Sequence, residues 1–157
     1  QTGRTLRTLL PNDFPHGTGA VAWSPEGGRI ATFSDQGYGR VWDAESGNAL
    51  GMLAGPDDGY GAEWSPSGDR VMVSTQSGIR IYDATTMREI MVYPTDDIAW
   101  GSWSPDGTEI AIAVWNGDLL VYPAWESLHE LIAYAKECCV LRELTPEERA
   151  RYGLRAQ

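Results

Sequence analysis

Two histidines, two adjacent cysteines and two pairs of aspartates carry most of the potential chemistry in this 157-residue chain. His16 precedes Asp35, and a histidine oriented by a carboxylate is a common acid–base arrangement. His129 precedes Cys138 and Cys139, which raises the idea of a thiol nucleophile. On one helix, however, the separation of His129 from Cys138 amounts to about 13 Å along the axis at the usual rise per residue, far beyond the hydrogen-bond reach a thiolate's base needs. Beside Leu131, Ile132 and Val140 the cysteines read instead as small core or interface residues. The histidines and cysteines are not clustered at metal-ligand spacing, so no metal site is expected. No glycine-rich loop runs into Lys-Ser or Lys-Thr at a helix start, so neither a phosphate cradle nor a cofactor is expected.

The remaining candidates favour binding over catalysis. Asp57-Asp58 and Asp96-Asp97 recur at matching places in the chain, and Tyr38, Tyr60, Trp100 and Trp115 stand in the segments around them. Carboxylates beside aromatic rings suit a partner that offers Arg or Lys, with the rings supplying most of the affinity. Such a surface requires a fold that brings residues from 38 to 115 to one end.

The chain's repeat supplies that fold. Trp23-Ser24-Pro25-Glu26-Gly27 is followed by Arg29–Ser34, a turn at Asp35-Gln36-Gly37, and then Tyr38–Asp43. The pattern returns from Trp64-Ser65-Pro66-Ser67-Gly68 to Ile81-Tyr82-Asp83, and again from Trp103-Ser104-Pro105-Asp106-Gly107 to Val121-Tyr122-Pro123. A period of about forty residues, built of short strand-like runs between Gly, Pro and Asp turns, is the signature of propeller blades. The strands expected are Ala20–Trp23, Arg29–Ser34, Tyr38–Asp43 and Ala49–Leu53, then Tyr60–Ser65, Arg70–Thr75, Ile79–Asp83 and Glu89–Tyr93. The third repeat supplies Ala99–Ser104, Glu109–Val114 and Asp118–Tyr122, with Asn116-Gly117 as a two-residue hairpin turn. No fourth strand follows it. Residues 1–10 resemble 46–54 and read as the last strand of a preceding blade. From Trp125, Leu128, Leu131, Ile132, Ala135, Cys138 and Cys139 fall at helical spacing, and Thr145-Pro146-Glu147-Glu148 looks like the start of a second short helix.

The Trp-Ser-Pro-x-Gly turn, the aromatic-Asp end of the third strand and the forty-residue period resemble the WD-repeat family of β-propellers, over residues 1–123. In that family a hydrogen-bonded set holds the third-strand Trp, and the resemblance carries it onto His16, Thr32, Asp35 and Trp42. That assigns His16 and Asp35 to structure and leaves the chain without a catalytic residue. The second repeat has Gln76 in place of Asp35 and Tyr82 in place of Trp42; the third has Trp115 and Tyr122. In a propeller the loops entering the first strand and the turns between strands two and three emerge at one end. Tyr38, Asp57, Asp58, Tyr60, Asp96, Asp97, Trp100 and Trp115 would then share a rim.

A formal net charge of −10, with scattered basic residues, opposes nucleic-acid binding and favours a basic or neutral protein partner. With no run near 18 apolar residues and no basic-then-apolar leader, a soluble, cytoplasmic protein without a membrane role is expected. The reading is an all-β chain: a partial propeller of about three four-stranded WD-type blades at 19–54, 60–93 and 99–122, then a helical extension at 124–157. Three blades do not close a ring of ordinary curvature, so another domain or chain is expected to supply the rest. The function expected is a non-catalytic interaction or sensor module, similar in its tail to endings found after propellers in bacterial multidomain signalling proteins. The alternatives are a fragment of a propeller hydrolase and a purely structural piece of another chain's ring.

Overall fold

The structure is a computed structural model that describes residues 3–6, 8–9, 18–55, 58–125, 132–133 and 136. It divides into two compact units, Gln1–Ala124 and Trp125–Gln157. In the second unit Ile132, Ala133 and Lys136 have helical backbone. The rest of the expected helical pattern, including Cys138, Cys139 and the segment from Thr145, lies outside the described residues.

The first unit is all-β. Strands β1 (Thr18–Trp23), β2 (Arg29–Ser34), β3 (Tyr38–Asp43) and β4 (Ala49–Ala54) form one antiparallel sheet in chain order. A second four-stranded sheet holds β5 (Gly59–Trp64), β6 (Arg70–Thr75), β7 (Gly78–Asp83) and β8 (Glu89–Pro94). The third has β9 (Ala99–Trp103), β10 (Glu109–Val114) and β11 (Leu119–Pro123). These are propeller-type blades, and among the described residues the third has no outer strand. Residues 3–6 and 8–9 are in no strand; the sheet that a last strand at 1–10 would complete is not among the described residues.

The repeated sequence turns are repeated hydrogen-bond patterns. After β1, β5 and β9 the amides of Gly27, Gly68 and Gly107 each donate to the carbonyl of Ser24, Ser65 or Ser104 three residues back. Each of these glycines has φ near +75°, a conformation that costs other residues a Cβ clash. The same serines accept, on Oγ, the amide that opens the next strand: Arg29 at 2.9 Å, Arg70 at 3.1 Å and Glu109 at 2.9 Å. At the other corner, Asp43 Oδ1 accepts from Ser46 N and Asp83 Oδ1 accepts from Thr85 N and Thr86 N, closing the turn into β4 and β8. Pro123 holds that position in the third blade, with no carboxylate to close such a turn.

One turn differs from expectation. Gly117 N donates to Val114 O and Val114 N to Asp118 O, so the β10–β11 loop is Trp115-Asn116-Gly117. This is a three-residue hairpin with Gly117 at φ +101°, not a two-residue Asn-Gly turn. The extra residue lets Trp115 occupy the tip.

Packing of the blades follows the two-residue period of each strand. Ala31, Phe33, Val41 and Leu53 of the first blade meet Trp64, Val71, Val73 and Tyr82 of the second. Met72, Ile79, Ile81 and Tyr93, on the second blade's other face, meet Trp103, Ile110, Ile112 and Val114. Phe33 is fully buried between Gly39 and Gly59, and a Cβ at either glycine would collide with its ring. Trp64 Nε1 also donates across the junction to Ala22 O at 3.1 Å, whereas the buried Trp103 Nε1 has no partner among the described residues. Trp64→Phe should therefore lower stability by about 1 kcal/mol more than Trp103→Phe, since the second change removes an unpaired donor; urea denaturation of the two variants compares them.

Ser104 Oγ and the Thr108 amide and hydroxyl hold the Asp106 carboxyl down at about 2. A depressed carboxylate pKa contributes stability that is present above the ordinary Asp value and lost as pH falls through about 2. Carboxyl-detected NMR titration should place the Asp106 midpoint there, and Ser104→Ala should raise it.

Candidate functional site

Three backbone hydrogen bonds gather the expected rim. Gly55 N donates to Gly37 O, Thr95 N to Ser77 O and Trp115 N to Ile98 O, each at 2.9–3.0 Å. Each bond ties a hairpin turn between a blade's middle strands to a loop entering an inner strand, so both kinds of loop emerge at one end. Tyr38, Asp58, Tyr60, Asp96, Asp97, Trp100 and Trp115 all lie at this end of the unit. Asp57 and His16 lie outside the described residues.

The side chains at this end are not equivalent. Tyr60 occupies a bulge, where the pairing of β5 with β6 shifts between Gly59 and Gly61, and its ring is partly exposed. Tyr38, at the start of β3, is exposed as well. Asp96 and Asp58 are exposed, while Asp97 turns back to accept from Ile98 N at 2.8 Å, so its carboxylate partly serves its own loop.

Trp115 is 71% exposed and Trp100 40% exposed, with ring centroids 5.8 Å apart and planes tilted by 48°. Trp100 pairs with Ala113 and therefore lies on the sheet face that carries Ser102, Ala111, Leu119 and Val121. That face is turned away from the second blade. Leu119 and Val121 on it are exposed too.

Of the set expected to hold Trp42, the structure shows one bond directly: Trp42 Nε1 donates to Thr32 Oγ1 at 2.9 Å. Arg40 lies over the same indole at 5.8 Å. Asp35 is exposed, and among the described residues it makes no hydrogen bond to Thr32 or Trp42. The turn amides of Gln36 and Tyr38 are taken up by Ser34 Oγ instead. Among the described residues no group of three His, Cys, Asp or Glu is placed to hold a metal ion, and no helix is long and apolar enough to cross a membrane.

Sequence reasoning missed Arg29 as a residue that locks two blades. Its guanidinium lies 4.6 Å from the Trp64 ring centroid and donates to Gly68 O at 2.6 Å, while Nε pairs with Glu26. Its recurrence as Arg70 at the same repeat position was the available signal.

The sheets, their order and their junctions define a run of propeller blades with an aromatic and acidic loop end. The chain is similar to coronin-7, a WD-repeat protein, from rat, with 32% identity over 95 residues, and from mouse, with 30% over 95. Both matches cover 59% of this chain and 10% of coronin-7, so the chain spans about a tenth of the length of these relatives. No family model matches it.

Thr32→Val keeps the shape of the side chain but removes the acceptor for Trp42. Leaving that indole N–H unpaired should cost about 1–3 kcal/mol in chemical denaturation, with the β-sheet circular dichroism unchanged.

Proposed function

We propose that this chain is a non-catalytic protein-interaction or sensing module, a WD-repeat propeller segment that completes a larger propeller and presents a partner-binding rim. The setting that fits is a multidomain signalling or effector protein in which the propeller docks or senses and other domains act.

One comparison within the chain carries the first half of this reading. The tryptophan before each Ser-Pro turn sits at the same place in all three blades, yet Trp64 is 5% and Trp103 7% exposed while Trp23 is 60% exposed. The two buried copies are each covered by the preceding blade; among the described residues no blade precedes the first, and Thr5, Leu6 and Leu9 only line a pocket beside Trp23. An indole buries about 150–250 Å², worth roughly 4–6 kcal/mol at about 25 cal/mol per Å². Val21 on the same face, and Leu119 and Val121 on the far face of the third blade, are exposed in the same way. Each outer face therefore has the composition of a blade junction and fits another blade, from the same polypeptide or another.

The rim reading rests on the exposed Trp115–Trp100 pair with Asp96 and Asp97 beside it in a chain of net charge −10. Exposed aromatic anchors with a charged surround are the usual make-up of a protein-binding surface.

Acrylamide quenching of single-tryptophan variants tests the first half. Trp23 should be quenched freely in this chain alone and become protected on assembly with the flanking blades, and Trp23→Asp should block that assembly without lowering the melting temperature. For the rim, Trp115→Ala and Asp96→Ala should weaken partner binding several-fold at unchanged melting temperature. Full binding by both variants would remove the rim from the reading.

A further inference from the structure

The geometry points to a pocket for an arginine side chain of a protein partner, set between the second and third blades at the loop end. It has a volume of about 150 Å³ and is lined by Thr95, Asp96, Asn116 and Asp118, with Val114 and Leu120 as apolar wall. That is roughly tenfold above the ~15 Å³ that admits one water.

The neighbouring junction shows what fills such a space. Arg80 pairs with Val73 in its sheet as Leu120 pairs with Ile112, so the two residues hold the same position in successive blades. Between the first and second blades the Arg80 side chain runs beside Gly55, with Cδ 3.8 Å from where a Cβ would stand there. Gly55 occupies the place that Thr95 takes in the next junction. The Arg80 guanidinium is mostly buried, donating from Nη1 to Glu89 Oε2 at 2.7 Å and approaching Ser77 Oγ with Nη2 at 3.5 Å. In the second junction Leu120 is too short to fill the groove, and the groove is open. It carries two carboxylates and no cation of its own among its lining residues.

The occupant follows from that contrast. A guanidinium entering from solvent would take the room that Arg80 takes next door, with its methylenes against Val114 and Leu120. Its donors would face Asp96 and Asp118, a planar fork that suits carboxylates better than a point charge does. Asn116 holds Asp118 in place through Nδ2 to Oδ2 at 3.1 Å and accepts the Asp118 amide on Oδ1 at 2.9 Å. Trp115, at the tip of the same hairpin, would lie beside the partner's backbone.

This inference rests on the rim reading for its biological setting but has its own test. In the full chain, N-acetyl-arginine methylamide should shift the amide NMR signals of Asp96, Asn116 and Asp118, saturating in the millimolar range. Asp118→Asn, an exposed change, should weaken this at least threefold, as should Asp96→Asn. Leu120→Arg should abolish it by filling the groove from within. Absence of saturable shifts in the wild-type chain, equal binding of the norleucine analogue, or equal or tighter binding of the lysine analogue would overturn the arginine pocket. If partner binding still fell in Trp115→Ala, the rim would stand without it. Arginine-amide binding unaffected by Trp115→Ala, with partner binding also unaffected, would keep the pocket and remove the rim.

Discussion

A four-stranded blade has two apolar faces and no thickness of its own, and everything else in this chain follows from the need to cover both. A helix can bury one stripe and wet the other, but a blade whose strands carry Val, Ile and Trp on alternate sides is stable only between neighbours. The second blade is the sole complete case among the described residues. Val71, Val73 and Tyr82 close against the blade before it, and Met72, Ile79 and Ile81 against the blade after it. The first and third blades each have one face of that quality and one left bare. The same Trp can therefore be core in one repeat and surface in another without any change in its own sequence context.

Within the two junctions, size is balanced across a row instead of being fixed at a position. In the first junction the large residue is Phe33, and its row neighbours are Ala20 and Gly39; in the second it is Ile79, with Gly61 and Ser74 beside it. On the bare face of the third blade Trp100 and Leu119 flank Ala113. Rows that trade one large side chain between strands keep the spacing of blades while their sequences drift. Polar locks then fix the register: Tyr82 Oη donates to Ala54 O at 3.1 Å, Tyr93 Oη to Pro123 O at 2.9 Å, and Arg29 spans the first junction.

Most of the fold was legible in the sequence because turn chemistry and alternation agreed. Each strand of the first unit lies within two residues of its expected limits, and Ser-Pro-x-Gly dictates its own hydrogen bonds wherever it occurs. Less legible was anything decided by a neighbouring blade. The direction of Trp100 depends on β9 running without the bulge that Gly19 and Tyr60 mark in the other inner strands, and a single extra residue in the last hairpin put Trp115 at its tip. The link from Asp35 to Trp42 was carried over from a family pattern. Its His16 lies outside the described residues, and Ser34 Oγ takes up the turn amides of Gln36 and Tyr38.

A binding surface made of loops gains affinity only if the loops are held before the partner arrives. Here the loops at the aromatic end are not independent excursions, because each hairpin turn is bonded to the incoming loop beside it through a backbone amide and carbonyl. Asp97, Thr95 and Asn116 spend their own polar groups on that same scaffold, Thr95 Oγ1 donating to Asp97 O at 2.7 Å. The side chains left over at the blade-two to blade-three edge include Trp115, Asp96, Asp118 and part of Trp100. A partner would thus meet aromatic and anionic groups presented by backbone that is already ordered. The cost of that order is met by the blade junctions beneath, so what closes the outer faces also determines how well the rim can bind.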